Sequence, residues 1–592
     1  MAVAATVLSL LATAAPSAAA ADGARTSNRE TQYVDCSADA STRTGSSAFP
    51  WQSLDQVNRL ALKTGSRILL KRGTRCTGTL APNGSGRQGK PMVIGAYGTG
   101  AKPVIDGGGN AETLLLKNTQ WVEASDLEIT NSGAPGRNKR GVRVQLDDFG
   151  TGTHYRLTGL DIHDIRGDDT KGTTGSAGIL FSVTGSGKPT RFDDVEVAGN
   201  TVTSVDREGI YFGSTWNNRP VHGDYDPEGP AYLPSTRVVV RGNTLKDLGG
   251  DGIVMTATDG ALVEHNRLDG FQRRSAGYNA GMWPWNADNT VFQYNEVSGG
   301  ETTRDGMAYD VDEGTFGTVF QYNVSHDNAG GFFLVCTATG KLGDAVIRYN
   351  ISRNDHYRGI ETCSGSFDGV RAHNNTVYVG DGVSQTVVNE NTTKKHDLTL
   401  TDNIVVKEGA GTASFDLRSD GVTLSHNTLV NVRSAPANPG GSTADPRFTD
   451  RTGALPDGLR LHTGSPALGA GTAVAGDVGK DLYGNPVADP PNTGAYQGPG
   501  VAGAVPDPVE AAPAGLVDGG FEKGLADWST RNATASTDAR TGSGALRLNA
   551  PAGNFATAEQ TVTGLEPATV YELSGWIRSD PSSRPPVPPG SA

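Results

Sequence analysis

Apolar and polar residues alternate in short runs through the middle of the chain, and run after run closes on an asparagine: Val195-Glu-Val197-Ala-Gly-Asn200, Val238-Val-Val240-Arg-Gly-Asn243, Leu398-Thr-Leu400-Thr-Asp-Asn403 and Val422-Thr-Leu424-Ser-His-Asn427. Such alternation predicts strands with one buried face. Asn266, Asn295, Asn323, Asn350 and Asn375 occupy the same place, and from Asn243 onward the asparagines recur every 23 to 29 residues or so. That is the period of one supersecondary unit stacking on the next. A second run follows about ten residues later and starts with glycine and an apolar residue: Gly209-Ile210, Gly252-Ile253, Gly281-Met282, Gly306-Met307, Gly331-Phe332 and Gly359-Ile360. Two short strands and their turns are therefore expected to make one coil.

The fold class predicted is all-β, a right-handed parallel β-helix solenoid. Successive coils must pair in parallel, and parallel crossovers are overwhelmingly right-handed. The period-2 pattern excludes helical solenoids. Asparagines stacked at one turn let each amide bond to its neighbours above and below, so they are read as architecture rather than chemistry.

Composition agrees with that picture. The chain has 592 residues, more than one ordinary globular core supports, yet a solenoid grows along its axis without that limit. Its 80 glycines fit many tight turns, and its 4 cysteines form an even set. A formal net charge of -13 argues against nucleic acid as a partner and favours a neutral glycan over a polyanion. Residues 1–22, apolar and then rich in small residues, read as a secretory signal too short to anchor in a membrane. An exported, extracellular protein without a membrane span is expected, acting as a monomer. In such a chain the cysteines pair most simply as Cys36 with Cys76 and Cys336 with Cys363.

The N-terminal series Tyr33-Val-Asp-Cys36, Trp51-Gln-Ser-Leu-Asp-Gln-Val-Asn, Gly65-Ser-Arg-Ile-Leu-Leu-Lys-Arg-Gly73 and Gly78 to Gly107 resembles the entry region of secreted β-helix proteins of the pectate-lyase-like superfamily. Asp445-Pro-Arg-Phe448, Ser465-Pro-Ala-Leu, Asp481-Leu-Tyr-Gly-Asn485 and Gly494-Ala-Tyr496 resemble its closing segment. The resemblance implies a β-helix domain over residues 31–498, with a short N-terminal capping helix within Ser53 to Thr64 and a first strand from Arg67 to Leu70. That superfamily contains lyases, hydrolases, epimerases and non-catalytic binders, so the fold does not name the reaction. Residues 499–514, rich in Pro, Ala and Gly, are expected to be a linker. Residues 515–592, with Phe521, Trp528 and Gly542-Ser-Gly-Ala-Leu-Arg-Leu548, resemble the first half of a jelly-roll carbohydrate-binding module, a partial β-sandwich expected to be truncated.

Inward residues of a β-helix fill a dry core, so a ligand must lie on outward positions, which stack about 4.8 Å apart in adjacent coils. If the residue after each glycine points inward, Tyr211, Trp283 and Glu361 fall in one outward column, Trp285, Asp310 and Cys363 in the next, and Asp312 in a third. The same register puts Cys336 inward and Cys363 outward. Asp310 and Asp312, two apart on one strand, would present exposed carboxylates about 6 to 7 Å apart. That overlaps the ~6.5 to 9.5 Å of inverting glycosidases. Asp310 and Asp312 are the expected acid/base pair, with Glu361 or Asp305 as alternative partner. Trp283 and Trp285 would form an open stacking platform for sugar, with Tyr211, His356 and Arg358 as further substrate contacts. His326 and His356 sit in turns where polar residues commonly satisfy backbone groups.

The function expected is a secreted glycoside hydrolase acting on a polysaccharide through paired carboxylates, with no cofactor required. One alternative is a calcium-dependent polysaccharide lyase, with Arg358 as base and Asp310, Asp312 and Glu313 as calcium ligands. Another is a non-catalytic glycan-binding surface protein.

Overall fold

The computed structural model describes residues 25–26, 29–39, 41–477 and 479–510, and beyond them 518–540, 542–550, 556–560 and positions 562, 575, 577 and 578. The segment expected as a signal lies outside the described residues. From Thr31 to Arg433 the chain winds as a parallel β-helix whose three sheets contain 15, 13 and 12 strands. Each coil runs from sheet 1 through the asparagine turn to sheet 2, around a corner to sheet 3, and back over a loop to sheet 1. In one coil these strands are Arg191–Ala198, Thr201–Val205 and Glu208–Ser214.

The coil thus holds three strands where the sequence pattern predicted two. The strand missed is that of sheet 2. In Thr201–Val205 the buried residues are Val202 and Val205, three apart, because Ser204 takes a left-handed φ of 52°. Asp164 and Asp247 do the same at 53° and 55°. A kinked strand breaks the alternation by which strands are recognised in sequence.

Sheet 1 bends into sheet 2 at the residue before each ladder asparagine, and that residue is left-handed every time, from Gly199 at 62° to Asn374 at 50°. Only two of the nine are glycines, so most coils hold a non-glycine residue in a conformation that costs roughly 1–2 kcal/mol. The asparagines hold the bend. Asn243 Oδ1 accepts from both the backbone N–H (3.0 Å) and Nδ2 (2.9 Å) of Asn200, while Asn243 Nδ2 donates to the carbonyl of Val197 at 2.9 Å. The pattern repeats coil by coil to Asn427, and Asn438 closes it at 3.1 Å. All nine asparagines predicted as a ladder form it.

Inside, Val, Ile and Leu from the three sheets form one continuous core, with stacked pairs such as Phe181–Phe212 at 4.6 Å and Phe292–Phe320 at 4.5 Å. The capping helix is Leu54–Asn58, shorter than expected, and buries Leu54 and Val57. Cys36 is bonded to Cys76, and Cys336 to Cys363. The closing segment lays Phe448, Leu461 and Tyr496 on the outside of sheet 2, against Tyr378, Ile404 and Val430. It stays docked beyond residue 498: Val501 pairs with His462, the Val509 N–H donates to Asp445 Oδ2 at 2.8 Å, and the Glu510 carbonyl accepts from the Gly409 N–H at 3.1 Å. Most of the stretch expected as a linker is therefore part of the body. Further on, Ser529–Arg531 pairs with Thr557–Glu559 and Ala533–Ser536 with Ala545–Leu548, both antiparallel. No helix among the described residues is long and apolar enough to cross a membrane.

Candidate functional site

The candidate site residues lie on and beside sheet 3, whose register differs from the one the glycines suggested. Met282 pairs with Tyr309, and Asp310 with Leu334, which in turn pairs with Glu361. Tyr309 points inward because its ring packs on Phe320 and Phe333 at 5.5 and 5.2 Å, with its hydroxyl donating to the Asn295 and Val324 carbonyls. That anchor slides the strand by two residues relative to Gly306. Asp310 thus lies in the column of Tyr211, Val254, Trp283, Leu334 and Glu361, and Asp312 in that of Trp285 and Cys336. In the neighbouring strand Phe333 and Val335 turn inward, so Cys336 and Cys363 pair directly on the outer face. The inward/outward mismatch expected for that bridge does not arise.

Asp310 is not an exposed carboxylate. It is only 4% exposed, with Oδ1 lacking a hydrogen-bond partner among the described residues. Burial first, then the charges of Asp312 and Asp305, push its carboxyl well above the usual range. Asp312 is half-buried, and burial raises it to about 7 although the Glu313 N–H donates to its Oδ1 at 2.6 Å. Asp305 lies half-buried on the loop preceding the same strand and is raised to about 6, again chiefly by burial. Three mutually interacting carboxyls therefore share one stretch of groove.

Glu361 is brought to the same column but is tied up by an ion pair with Arg358 and by Asn391 Nδ2 at 3.2 Å. Arg358 is itself a clamp. Its guanidinium donates to the carbonyls of Gly330 at 3.1 Å, Thr303 at 3.1 Å and Asp305 at 2.6 Å, pinning the loop that carries Asp305. A buried, permanently protonated guanidinium with these acceptors is unsuited to the base role that the lyase reading gave it. Glu313 turns away from Asp312 and accepts the backbone N–H groups of Gly223 (2.6 Å), Ala338 (2.9 Å) and Thr339 (3.3 Å). The proposed calcium ligand set is thus not assembled. Among the described residues no three His, Cys, Asp or Glu side chains gather to hold a metal ion.

The tryptophans separate. Trp283 is 6% exposed, donates from Nε1 to Asp251 at 2.9 Å, and has the Lys171 ammonium 4.4 Å over its ring. It is floor, not an open platform. Trp285 is half-buried and lines a cleft of about 700 Å³ with Tyr211, Gly213, Thr256, Thr173 and Asn217. His356 is exposed at the corner before strand Tyr357–Ser364, with Asp327 as its electrostatic neighbour. His326 lies on a sheet 2 strand between Asp327 and Glu296, which hold it protonated up to about 9.

An ionic network missed from sequence surrounds the buried Asp251, Arg207 and Glu208 and reaches the more exposed Lys171 and Asp169. Lys171 pairs with Asp251 at 3.0 Å, and Arg207 reaches Asp251 at 3.3 Å and Asp169 at 3.0 Å. Burial opposes ionisation of Asp251, but Lys171 and Arg207 outweigh it and hold its carboxyl below the usual value. Burial and the Asp251 charge drive the neighbouring Glu208 well above its usual value. The available signal was Arg207-Glu208 and Asp251 directly before the strand-opening glycines, where charge is out of place unless paired.

Residues 177–429 match the family described as right handed beta helix region, in agreement with the winding expected from sequence. A curated lacto-N-biosidase from Bifidobacterium longum subsp. longum is 28% identical over 593 aligned residues, covering 80% of this chain and 36% of that protein. The chain thus spans little more than a third of the length of the curated relative it matches. The crystal structure of a GH136 lacto-N-biosidase from Eubacterium ramulus, native protein, superimposes with a TM-score of 0.52 at 24% identity over 67% of both chains. Its selenomethionine derivative gives 0.53 at 24% over 68% of both. These likenesses show the fold.

Proposed function

We propose that this chain is an exported glycoside hydrolase of the lacto-N-biosidase type, which holds a glycan in the sheet 3 cleft and cleaves it with Asp312 and Asp305. The observation carrying this reading is the gathering of three carboxyls, two of them half-buried and raised toward neutrality, one coil from the tryptophan that walls the cleft. The similarity to lacto-N-biosidases supports the reaction class and the sugar. The two disulfides suit an oxidising compartment and so support export.

Hydrolysis needs one carboxyl protonated, to protonate the leaving oxygen, and one ionised, to act as base or nucleophile. Asp312, at about 7, is the acid, and Asp305, at about 6, is the ionised partner. Asp310 is the more buried of the three, and burial pushes its carboxyl well above the usual range, which disfavours a third negative charge beside them. This replaces the exposed Asp310–Asp312 pair expected from sequence.

The test is incubation of the full chain with p-nitrophenyl lacto-N-bioside and a glycan panel, with the anomer of the first product followed by proton NMR. Release of a reducing lacto-N-bioside supports the reading. An unsaturated product absorbing in the near ultraviolet, or no cleavage of any member, overturns it. The kcat/KM profile should be bell-shaped. It should rise as Asp305 ionises near pH 6 and fall as Asp312 loses its proton near pH 7.

A further inference from the structure

The crossing from strand Glu208–Ser214 to Ser235–Arg241 is a 20-residue insertion, residues 215–234, in a solenoid whose next crossings of this kind are far shorter. It does not cover its own coil alone; it descends along the groove. Arg219 pairs with Asp288 at 2.6 Å and bonds to Asn286 Oδ1 at 2.6 Å while stacking on Tyr232 at 4.1 Å. The Gly223 N–H reaches Glu313 Oε1 at 2.6 Å, and the Val221 carbonyl accepts from the Lys341 N–H at 2.8 Å. Approach is so close that a Cβ on Gly223 would stand 1.7 Å from Thr339 Oγ1.

These ties place His222 edge-on against Trp285, with ring centroids 4.4 Å apart, and its Nδ1 3.7 Å from Glu313, the residue following Asp312. His222 is 8% exposed. Its Nδ1 accepts the Asp224 N–H at 3.2 Å, so the neutral ring carries its proton on Nε2. That Nε2 is buried with no hydrogen-bond partner among the described residues. A buried donor without an acceptor calls for an explanation. Beside the His222 ring is a pocket of about 160 Å³ that shares Asn217 and Trp285 with the larger cleft and is lined by Asn217, Asn218, His222, Asp224 and Trp285. At about 30 Å³ per water it has room for roughly five waters, the scale of one pyranose ring.

We infer that this pocket is a subsite for a single pyranose unit bearing hydroxyl or acetamido groups, with His222 Nε2–H donating to a sugar oxygen, Trp285 offering its apolar face, and Asn217, Asn218 and Asp224 meeting the remaining polar groups. The inference rests on the glycan-hydrolase reading of the adjacent carboxyls. His222 is a specificity-determining residue here, not a proton-transfer group.

The test titrates wild type, His222→Phe and His222→Gln with N-acetylglucosamine, galactose and p-nitrophenyl lacto-N-bioside, following Trp fluorescence and saturation-transfer NMR, with hydrolysis assayed in parallel. Phe keeps the packing on Trp285 but removes the donor, whereas Gln restores a donor. Affinity for at least one sugar should fall about 10-fold in His222→Phe and stay within about 3-fold in His222→Gln, with the melting temperature of each variant showing that it is folded. Unchanged affinity in a folded His222→Phe, or a wild type that binds none of the three sugars, overturns the subsite. Binding that depends on His222 without any hydrolysis upholds the subsite and removes the hydrolase reading.

Discussion

Two files of polar side chains run along this solenoid, the asparagine ladder between sheets 1 and 2 and the acidic groove on sheet 3, and they treat burial in opposite ways. In the ladder every amide is matched: Asn323 Oδ1 accepts from Asn295 N–H and Nδ2, both at 3.0 Å, while its own Nδ2 donates to Phe292 O at 3.0 Å and Asn350 Oδ1 at 2.9 Å. In the groove, Asp305, Asp310 and Asp312 crowd three carboxyls into a partly buried stretch that disfavours their ionised forms, and Asp310 Oδ1 goes without a partner among the described residues. Satisfied polar stacking holds a backbone in an unfavourable turn. Unsatisfied polar stacking stores altered acidity, which is what proton transfer needs.

The largest effect that would sharpen this contrast is catalytic. Asp312→Asn or Asp305→Asn should lower turnover by ~10²–10⁴-fold while the fold is kept; near-wild-type turnover in both would end the assignment. On the other side, Asn323→Ala should leave Asn295 with orphaned donors and cost roughly 3 to 5 kcal/mol of stability by denaturant titration. A loss below about 1 kcal/mol would mean that backbone pairing alone holds the bend.

The third test sets the two files directly against each other, since groove substitutions should stabilise where ladder substitutions destabilise. The folded chain keeps a proton on Asp312 up to about pH 7, whereas the unfolded chain releases it near 3.8. Its contribution is therefore fully present at low pH and lost as pH rises from about 4 to 7. At pH 8 Asp312→Asn should be more stable than wild type by about 1–3 kcal/mol, and the gain should vanish near pH 4. A gain that persists at pH 4 would not come from this titration. The smallest effect expected is that of the groove disulfide. Replacing Cys336 and Cys363 together by Ser should cost no more than about 1–2 kcal/mol, because their two coils are already joined by direct strand pairing and by the ladder.

Much of the architecture was legible because a solenoid repeats its physics. One alternating run and one asparagine predict the next, and nine were placed on the same turn from spacing alone. The sheet 2 strands were hidden by left-handed residues such as Ser204, which put Val202 and Val205 on one face three positions apart. The insertion carrying His222 did leave a trace, the 43 residues between Asn200 and Asn243, but spacing says only that a loop is there, not where its tip lands.

The sequence by itself determined the winding, the ladder, both cysteine pairings and the coil on which the acidic residues cluster, because each follows from local periodicity or from short separations along the chain. Tertiary structure alone decided which way that coil faces and what its carboxyls meet. Burial of the Tyr309 ring set a two-residue register shift that no glycine announced. Lys171 closed Trp283, Arg358 and Glu361 neutralised one another, and residues 215–234 carried His222 to Trp285. These outcomes depend on contacts between coils, where competing side chains are chosen by the space and charge left for them, and a linear pattern does not contain that choice.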